Sequence, residues 1–146
     1  MVIGIIGESC TGKSTLTDEL AKRLEAKVFS GKEYMKLAKS EPEAKKKFVD
    51  LLSANEASAK FYIYVITEME HLELLPPKAF RILVTAELDV IKERFAKRMN
   101  GTLPPPVAKM LEQKHGMFDE IKHDVHVKNG GQNTSEYCDM ILYLCT

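Results

Sequence analysis

The sequence predicts an α/β fold of three layers, helix on sheet on helix, around a parallel sheet of roughly five strands. Three observations carry this expectation. Short apolar, β-branched runs recur along the chain, most of them are followed by apolar residues at helical spacing, and the run at 61–67 (FYIYVIT) is apolar without alternation, as in a strand covered on both faces. Strands alternating with helices imply parallel pairing through right-handed crossovers. The chain of 146 residues, 45% hydrophobic and 29% charged, fits one folded domain with a single sizeable core and no second domain.

Taken in order, Val2 to Ile6 is the first strand, and it meets a glycine-rich turn at Gly7 before Leu16, Leu20 and Leu24 set a helical stripe. Val28 and Phe29 begin a second extended segment, which Ser30-Gly31 breaks and a lysine-rich helical stretch follows through about Lys39. Ser40-x-x-Glu43, with Pro42 in the first turn, reads as a capping box opening a helix whose apolar face is Ala44, Phe48, Leu51 and Leu52. Phe61 to Thr67 is expected as the central strand. After Pro76-Pro77 the run Phe80 to Thr85 gives another, and Leu88, Ile91 and Phe95 form a helical stripe ending near Met99-Asn100-Gly101. Thr102 to Pro106 is a proline-rich hinge, and Val107, Met110, Leu111 and Phe118 space out as a helix ending around 116–118. Val125 to Val127 is a last short strand. Asn129-Gly130-Gly131 turns the chain into a helix opened by Asn133-x-x-Glu136, with Tyr137, Met140, Ile141 and Leu144 on one face.

Charge and composition exclude several function classes. Lys+Arg and Asp+Glu are both 21, so no bulk positive field exists to hold a nucleic-acid backbone or an anionic membrane surface, and any anion must be bound locally. No apolar stretch approaches the length of a membrane span, and the first residues carry neither a basic leader nor a small-residue cleavage site, which points to the cytoplasm. Cys10, Cys138 and Cys145 show no paired spacing, against a disulfide framework or structural zinc. His123-x-x-His126 lacks further ligands nearby and reads as solvated or strand-end histidines.

Chemistry concentrates at 7–14. Gly7-Glu8-Ser9-Cys10-Thr11-Gly12-Lys13-Ser14 matches G-x-x-x-x-G-K-[ST] at every fixed position, and it lies between a predicted strand and a predicted helix. Successive backbone N–H groups in such a loop curl around an anion, and the following helix adds its positive dipole end. Gly7 and Gly12 leave room for phosphate oxygens, Lys13 reaches the β- and γ-phosphates, and the Ser14 hydroxyl suits one coordination position of Mg²⁺, with Thr15 beside it. A P-loop NTPase fold binding a nucleotide follows. Guanine-reading N-K-x-D and D-x-x-G motifs are absent, so a GTP-binding switch is not expected. Cys10, inside the loop near Lys13 and a helix N-terminus, is either a redox-sensitive thiol or a loop side chain of no consequence.

The chain resembles the nucleoside monophosphate kinase-like group of P-loop kinases, which includes adenylate, cytidylate, shikimate and dephospho-coenzyme A kinases. Ser30-Gly31 is similar to the turn that opens the acceptor-binding helices of those kinases, here about 30–54, although Lys32 and Glu33 replace the acid or arginine usual after it. Pro76 to Ala86 (PPKAFRILVTA) resembles the cytidylate kinase stretch that ends in L-T-A. Arg94-x-x-x-Arg98 followed by Asn100-Gly101 resembles the R-x-x-x-R-D-G that starts the lid, here a short one at about 99–114. Gln113 and the ending His126 to Gly131 are similar to the Q and the V-I-x-N-x-G loop of dephospho-coenzyme A kinase, which implies that Asn129 and Gly130 lie beside adenine. The chain departs from cytidylate kinases where Thr67-Glu68-Met69 stands in place of G-R-D.

The resemblance implies a kinase that moves the γ-phosphate of Mg-ATP to a small-molecule acceptor, first among them a nucleoside monophosphate as in cytidylate kinases, or a related metabolite. Phosphoryl transfer needs charge neutralisation, in-line positioning and exclusion of water. Lys13, Arg94 and Arg98 are the candidate catalytic cations, with the two arginines four apart on one helix face at the mouth of the hinge. Glu68, directly after the third strand, is the candidate acid for a Mg²⁺ water or an acceptor hydroxyl, with Glu70 as its competitor. Lys32, Lys36 and Lys45-Lys46-Lys47 either attract an anionic acceptor or form a solvated face. A nucleotide-binding regulator or slow NTPase is the alternative, and the sequence leaves open both the oligomeric state and the choice between a hydroxyl and a phosphate acceptor.

Overall fold

The order of elements follows from where apolar runs can be buried. The computed structural model describes residues 1–146: strands β1 (Val2–Ile6), β2 (Lys27–Ser30), β3 (Tyr62–Ile66), β4 (Phe80–Thr85) and β5 (Val125–Lys128), and helices α1 (Lys13–Leu24), α2 (Glu41–Ala54), α3 (Leu88–Arg98), α4 (Pro105–Lys114) and α5 (Thr134–Cys145). Short 3-10 helices occupy Glu33–Leu37 and Met69–Leu74. The five strands form one all-parallel sheet in the order β2-β3-β1-β4-β5, with β1 in register against both β3 (Ile5 to Val65) and β4 (Ile5 to Ile82).

The expected central strand is therefore displaced by one place. All five residues of β1 are buried, and β1 holds the middle, with β3 beside it. An unbroken apolar run reports cover on both faces, which any interior strand has, and it does not rank interior strands.

Alternate residues of each strand enter opposite layers. Ile3, Ile5, Ile63, Ile82 and Val84 pack with Leu16 and Leu20 of α1 and Cys138 and Ile141 of α5. Val2, Ile6, Tyr64, Ile66 and Leu83 pack with Ala44, Phe48 and Leu52 of α2. Phe48 is the hub of this second layer, its ring edge-on to Phe29 and Tyr64 at centroid separations of 5.0 and 4.8 Å and stacked on Tyr34 at 5.7 Å. Such edge-on pairs place a positive ring edge against a negative face. A smaller cluster of Cys10, Ala86, Ile91 and Leu111 joins the phosphate loop to α3 and α4.

Four local expectations differ from the structure. Ser40 precedes α2 without a side-chain cap, and Pro42 in the first turn removes one of the N–H groups that a cap would serve. The α5 face is rotated: Cys138 and Ile141 are buried, whereas Met140 and Leu144 are 41% and 52% exposed. The helix carrying Val107 and Leu111 stops at Lys114, so Phe118 is buried from the following turn, not from the helix. Finally, the lysine-rich stretch after Ser30-Gly31 is reduced to one short 3-10 helix anchored by the buried Tyr34. No helix is long and apolar enough to cross a membrane.

Candidate phosphate-binding and phosphoryl-transfer site

The sheet delivers the carboxyl ends of β1, β3, β4 and β5 to one edge, the place where ligands gather in open parallel sheets. There residues 7–12 form the turn from β1 into α1. Gly12 sits at the N-cap of α1 with φ 96°, and a Cβ on it would lie 2.0 Å from the Gly130 carbonyl carbon. A Cβ on Gly130 would lie 1.9 Å from the Thr11 oxygen. Two main chains thus touch directly, and only glycine at both positions permits the phosphate loop to rest on the turn after β5.

The loop is held from within. Thr11 Oγ1 donates to the Glu8 carbonyl at 2.9 Å, and Lys13 Nζ donates to the same carbonyl at 2.6 Å. Arg94 Nη1 donates to the Cys10 carbonyl at 3.0 Å, so α3 grips the loop from above. Burial above all, against the opposing influence of Cys10 and Glu8 and with the Arg98 guanidinium adding to it, pushes the Lys13 ammonium down to about 8.

This has a measurable consequence. An unfolded lysine keeps its proton to about pH 10.4, so between about 8 and that value the unfolded chain binds more protons and the free protein gains stability as pH rises. A polyphosphate placed against Nζ restores the charged form. Nucleotide binding at pH 8 is expected to take up roughly half a proton, read by calorimetry in two buffers of different ionisation enthalpy. Lys13→Met should bring that uptake to zero; an unchanged uptake would place the titrating group elsewhere.

Beside the loop opens a cavity of about 590 Å³. Ser9, Cys10, Gly12, Lys13, Ser14 and Thr15 line it from the loop and α1; Arg94, Lys97 and Arg98 line it from α3; Ser30, Val65 and Thr67 come from the ends of β2 and β3; and Gly131 closes the last side. Four cations face this space and no carboxylate does. Its oxygen donors are hydroxyls, Ser14 foremost, which together with phosphate oxygens and waters fit a magnesium ion that keeps most of its water shell.

The expected residues divide as follows. Ser9, Cys10, Gly12, Lys13, Ser14, Thr15, Arg94 and Arg98 are brought together around this cavity. Glu68 is not on it: it lines a small adjoining cleft with Glu8, Met110 and Lys114, and its Oε1 lies 3.7 Å from Lys114 Nζ. Glu8 is buried at 8% exposure with its side chain turned toward residues 115 and 116, Gly7 and Thr11 are buried beneath the loop, and Gly130 contributes backbone. Asn129 lines a second cavity of about 440 Å³ with Glu8, His115, His123 and His126. There the His123 and His126 rings meet edge-on at 5.7 Å, and His126 Nε2 lies 2.8 Å from Thr85 Oγ1. Burial, followed by His123 and Lys128, holds the His126 imidazole below its ordinary range. No group of three or more His, Cys, Asp or Glu side chains converges to hold a metal ion.

Ser30 and Gly131, from the turns after β2 and β5, and Thr67, from the segment that stands in place of G-R-D, also line the cavity, together with Lys97. Lys97, which the sequence offers as an ordinary surface charge beside Arg98, borders the same space from α3.

No family model matches this chain, and no curated protein matches it by sequence. Solved structures do match over nearly the whole length. YorR from Bacillus subtilis, in complex with phosphorylated GDP, is similar with a TM-score of 0.66 at 20% identity, over 99% of this chain and 95% of that one. An uncharacterised protein from Eubacterium ventriosum matches with a TM-score of 0.66 at 16% identity, over 99% and 97%. Shikimate kinase from Aquifex aeolicus matches with a TM-score of 0.59 at 19% identity, over 99% and 96%. The chain has the three-layer α/β/α fold of the P-loop kinases, with its G-x-x-x-x-G-K-S loop at the β1–α1 turn where this fold binds phosphate.

Proposed function

We propose that this protein is an ATP-dependent small-molecule kinase whose acceptor already carries a phosphate, most simply a nucleoside monophosphate. The observation that carries the reading is the cavity itself, with Lys13, Arg94, Lys97 and Arg98 on its walls and no carboxylate. Mg-ATP brings a net charge of about −2 and a phosphate monoester about −2 more, so four cations match the pair. A hydroxyl acceptor needs a base to take its proton in the transition state. A phosphate oxygen is ionised at neutral pH and needs none. Glu33, the acid nearest the end of β2, is engaged with its Oε1 accepting from the Ser30 N–H at 2.7 Å.

In this reading Lys13 bridges the β- and γ-phosphates, the Ser14 hydroxyl takes one position on Mg²⁺, and the metal's chemistry is to neutralise charge on the phosphates between which the bond breaks. Arg94 and Arg98 hold the transferred group in line with bidentate hydrogen bonds. Lys97 adds charge from the same helix end. Glu68 lies off this cavity, in the adjoining cleft beside Lys114, and takes no part in the transfer in this reading. The nucleotide base rests near Asn129 and Gly130, and the segment at 99–114 acts as the short lid. That a phosphorylated nucleotide occupies the fold in YorR supports the nucleotide choice.

ADP release from Mg-ATP tests it against CMP, dCMP, UMP, AMP and dephospho-coenzyme A on one side and shikimate and gluconate on the other. Stimulation by a phosphate-bearing acceptor alone is expected. Stimulation by a sugar acid alone would overturn the acceptor assignment, and slow hydrolysis indifferent to every acceptor would mark a regulator or slow NTPase instead.

A further inference from the structure

The acid inside the phosphate loop is an electrostatic anomaly. Glu8 immediately follows the first glycine of the motif, its side chain is only 10% exposed, and a polyphosphate bound on the loop would repel its carboxylate. Its side chain is drawn away by residues more than a hundred positions later. His115 Nδ1 lies 3.1 Å from Glu8 Oε1, and the Gly116 N–H donates to Oε2 at 3.0 Å. A carboxylate only accepts, so His115 carries its proton on Nδ1.

The local backbone is shaped for this grip. α4 ends at Lys114, His115 turns extended with φ −61° and ψ 130°, and Gly116 takes φ 83°, which only glycine adopts at no cost. Ring and N–H thereby converge on one carboxylate. The residue before them completes the pattern, because Lys114 Nζ lies 3.7 Å from Glu68 Oε1. Three consecutive residues thus collect the two acids, Glu8 and Glu68, that border the same small cleft beside the loop.

Both ends of this contact reach the phosphate site. The Glu8 carbonyl accepts from Lys13 Nζ and Thr11 Oγ1, so whatever fixes the Glu8 side chain fixes the anchor of the phosphate lysine. α4 in turn is bound to the arginine helix: Leu111 is buried with Ile91 and Cys10, and Lys92 Nζ lies 2.5 Å from Glu112 Oε1. We infer that Lys114-His115-Gly116 is a clasp that couples the α3–α4 unit to the phosphate loop through the Glu8 carboxylate, making Glu8 and His115 positioning residues for nucleotide binding. The inference rests on the kinase reading for its consequence in turnover, but not for its geometry.

The test uses the full chain with His115→Ala, Glu8→Gln and the double variant. Glu8→Gln keeps an oxygen for the Gly116 N–H and gives up the charge. Two readouts are taken: Mg-ATP affinity by calorimetry, and the Lys13 ε-carbon resonance in nucleotide-free protein. His115→Ala is expected to weaken ATP binding about tenfold, the scale of one lost hydrogen bond to a charged group, and both single variants are expected to shift the Lys13 resonance. The double variant is expected to be no weaker than the worse single one, and the thermal midpoints should fall by no more than about 6 °C, the scale of one lost hydrogen bond to a buried charged group in a domain of this size. Wild-type affinity and an unmoved Lys13 resonance in both single variants would overturn the clasp, as would losses that multiply in the double variant. Should the wild-type protein bind no nucleotide, the kinase reading fails, and the Lys13 resonance alone decides the clasp.

Discussion

Replacing Lys13 by alanine is expected to lower phosphoryl transfer by on the order of 10²–10³-fold, the cost of removing one preorganised charge donor from a transition state, while the domain stays folded. Lys13 is 7% exposed and carries the only side-chain cation on α1 that reaches the loop interior, and the sole partner of its Nζ is the Glu8 carbonyl at 2.6 Å, a contact it can exchange for phosphate oxygens. Because burial already disfavours its charged form, with the ammonium pushed down to about 8, the substitution removes a strained group and should not destabilise the free protein. A thermal melt alongside steady-state turnover checks both halves. Full activity in the variant would remove Lys13 from the mechanism.

The second large effect is expected from Gly12→Ala. A methyl there meets the Gly130 carbonyl carbon at 2.0 Å and its oxygen at 2.3 Å, and φ 96° is a conformation that alanine rarely adopts. Strain of about 1–3 kcal/mol and a clash of about 1–3 kcal/mol add to roughly 2–6 kcal/mol. Gly130→Ala should cost a comparable amount through the Thr11 carbonyl at 1.9 Å. The two losses should not add, because either methyl parts the same pair of chains. Gly31→Ala is the control: φ is 51° but nothing lies within 4 Å of the new methyl, so only the backbone strain remains. Denaturant titration of the three variants separates these terms, and equal losses in Gly31→Ala and Gly12→Ala would show that steric contact with 130 plays no part.

The sequence made strands and the phosphate loop legible because both are written in neighbouring residues. VIGII, FRILVT and the eight-residue motif each need only short-range pattern, and each lies where that pattern placed it. What pattern cannot carry is contact across the chain. The Glu8 side chain answers to His115 and Gly116, so its place in the motif says nothing about where its carboxylate points. Glu68 falls beside Lys114 for the same reason. The 3-10 helix Met69–Leu74 has no 3.6-residue period to reveal it, and its anchors, His71 and Leu74, are three apart as that tighter helix requires. On α5 the apolar residues nearly encircle the helix, so the buried pair Cys138 and Ile141 is selected by α1 and the sheet, with Met140 and Leu144 left outward.

A kinase of this kind moves the terminal phosphate of ATP onto the phosphate of its acceptor. Phosphorus NMR of wild-type protein with Mg-ATP and a mixture of nucleoside monophosphates follows that transfer, with Lys13→Ala as the blank. New nucleoside diphosphate resonances are expected to grow in step with ADP in the wild type and to be absent from the blank. Growth of inorganic phosphate as the sole product beside ADP, or of a phosphate ester when only sugar acids are supplied, would contradict it.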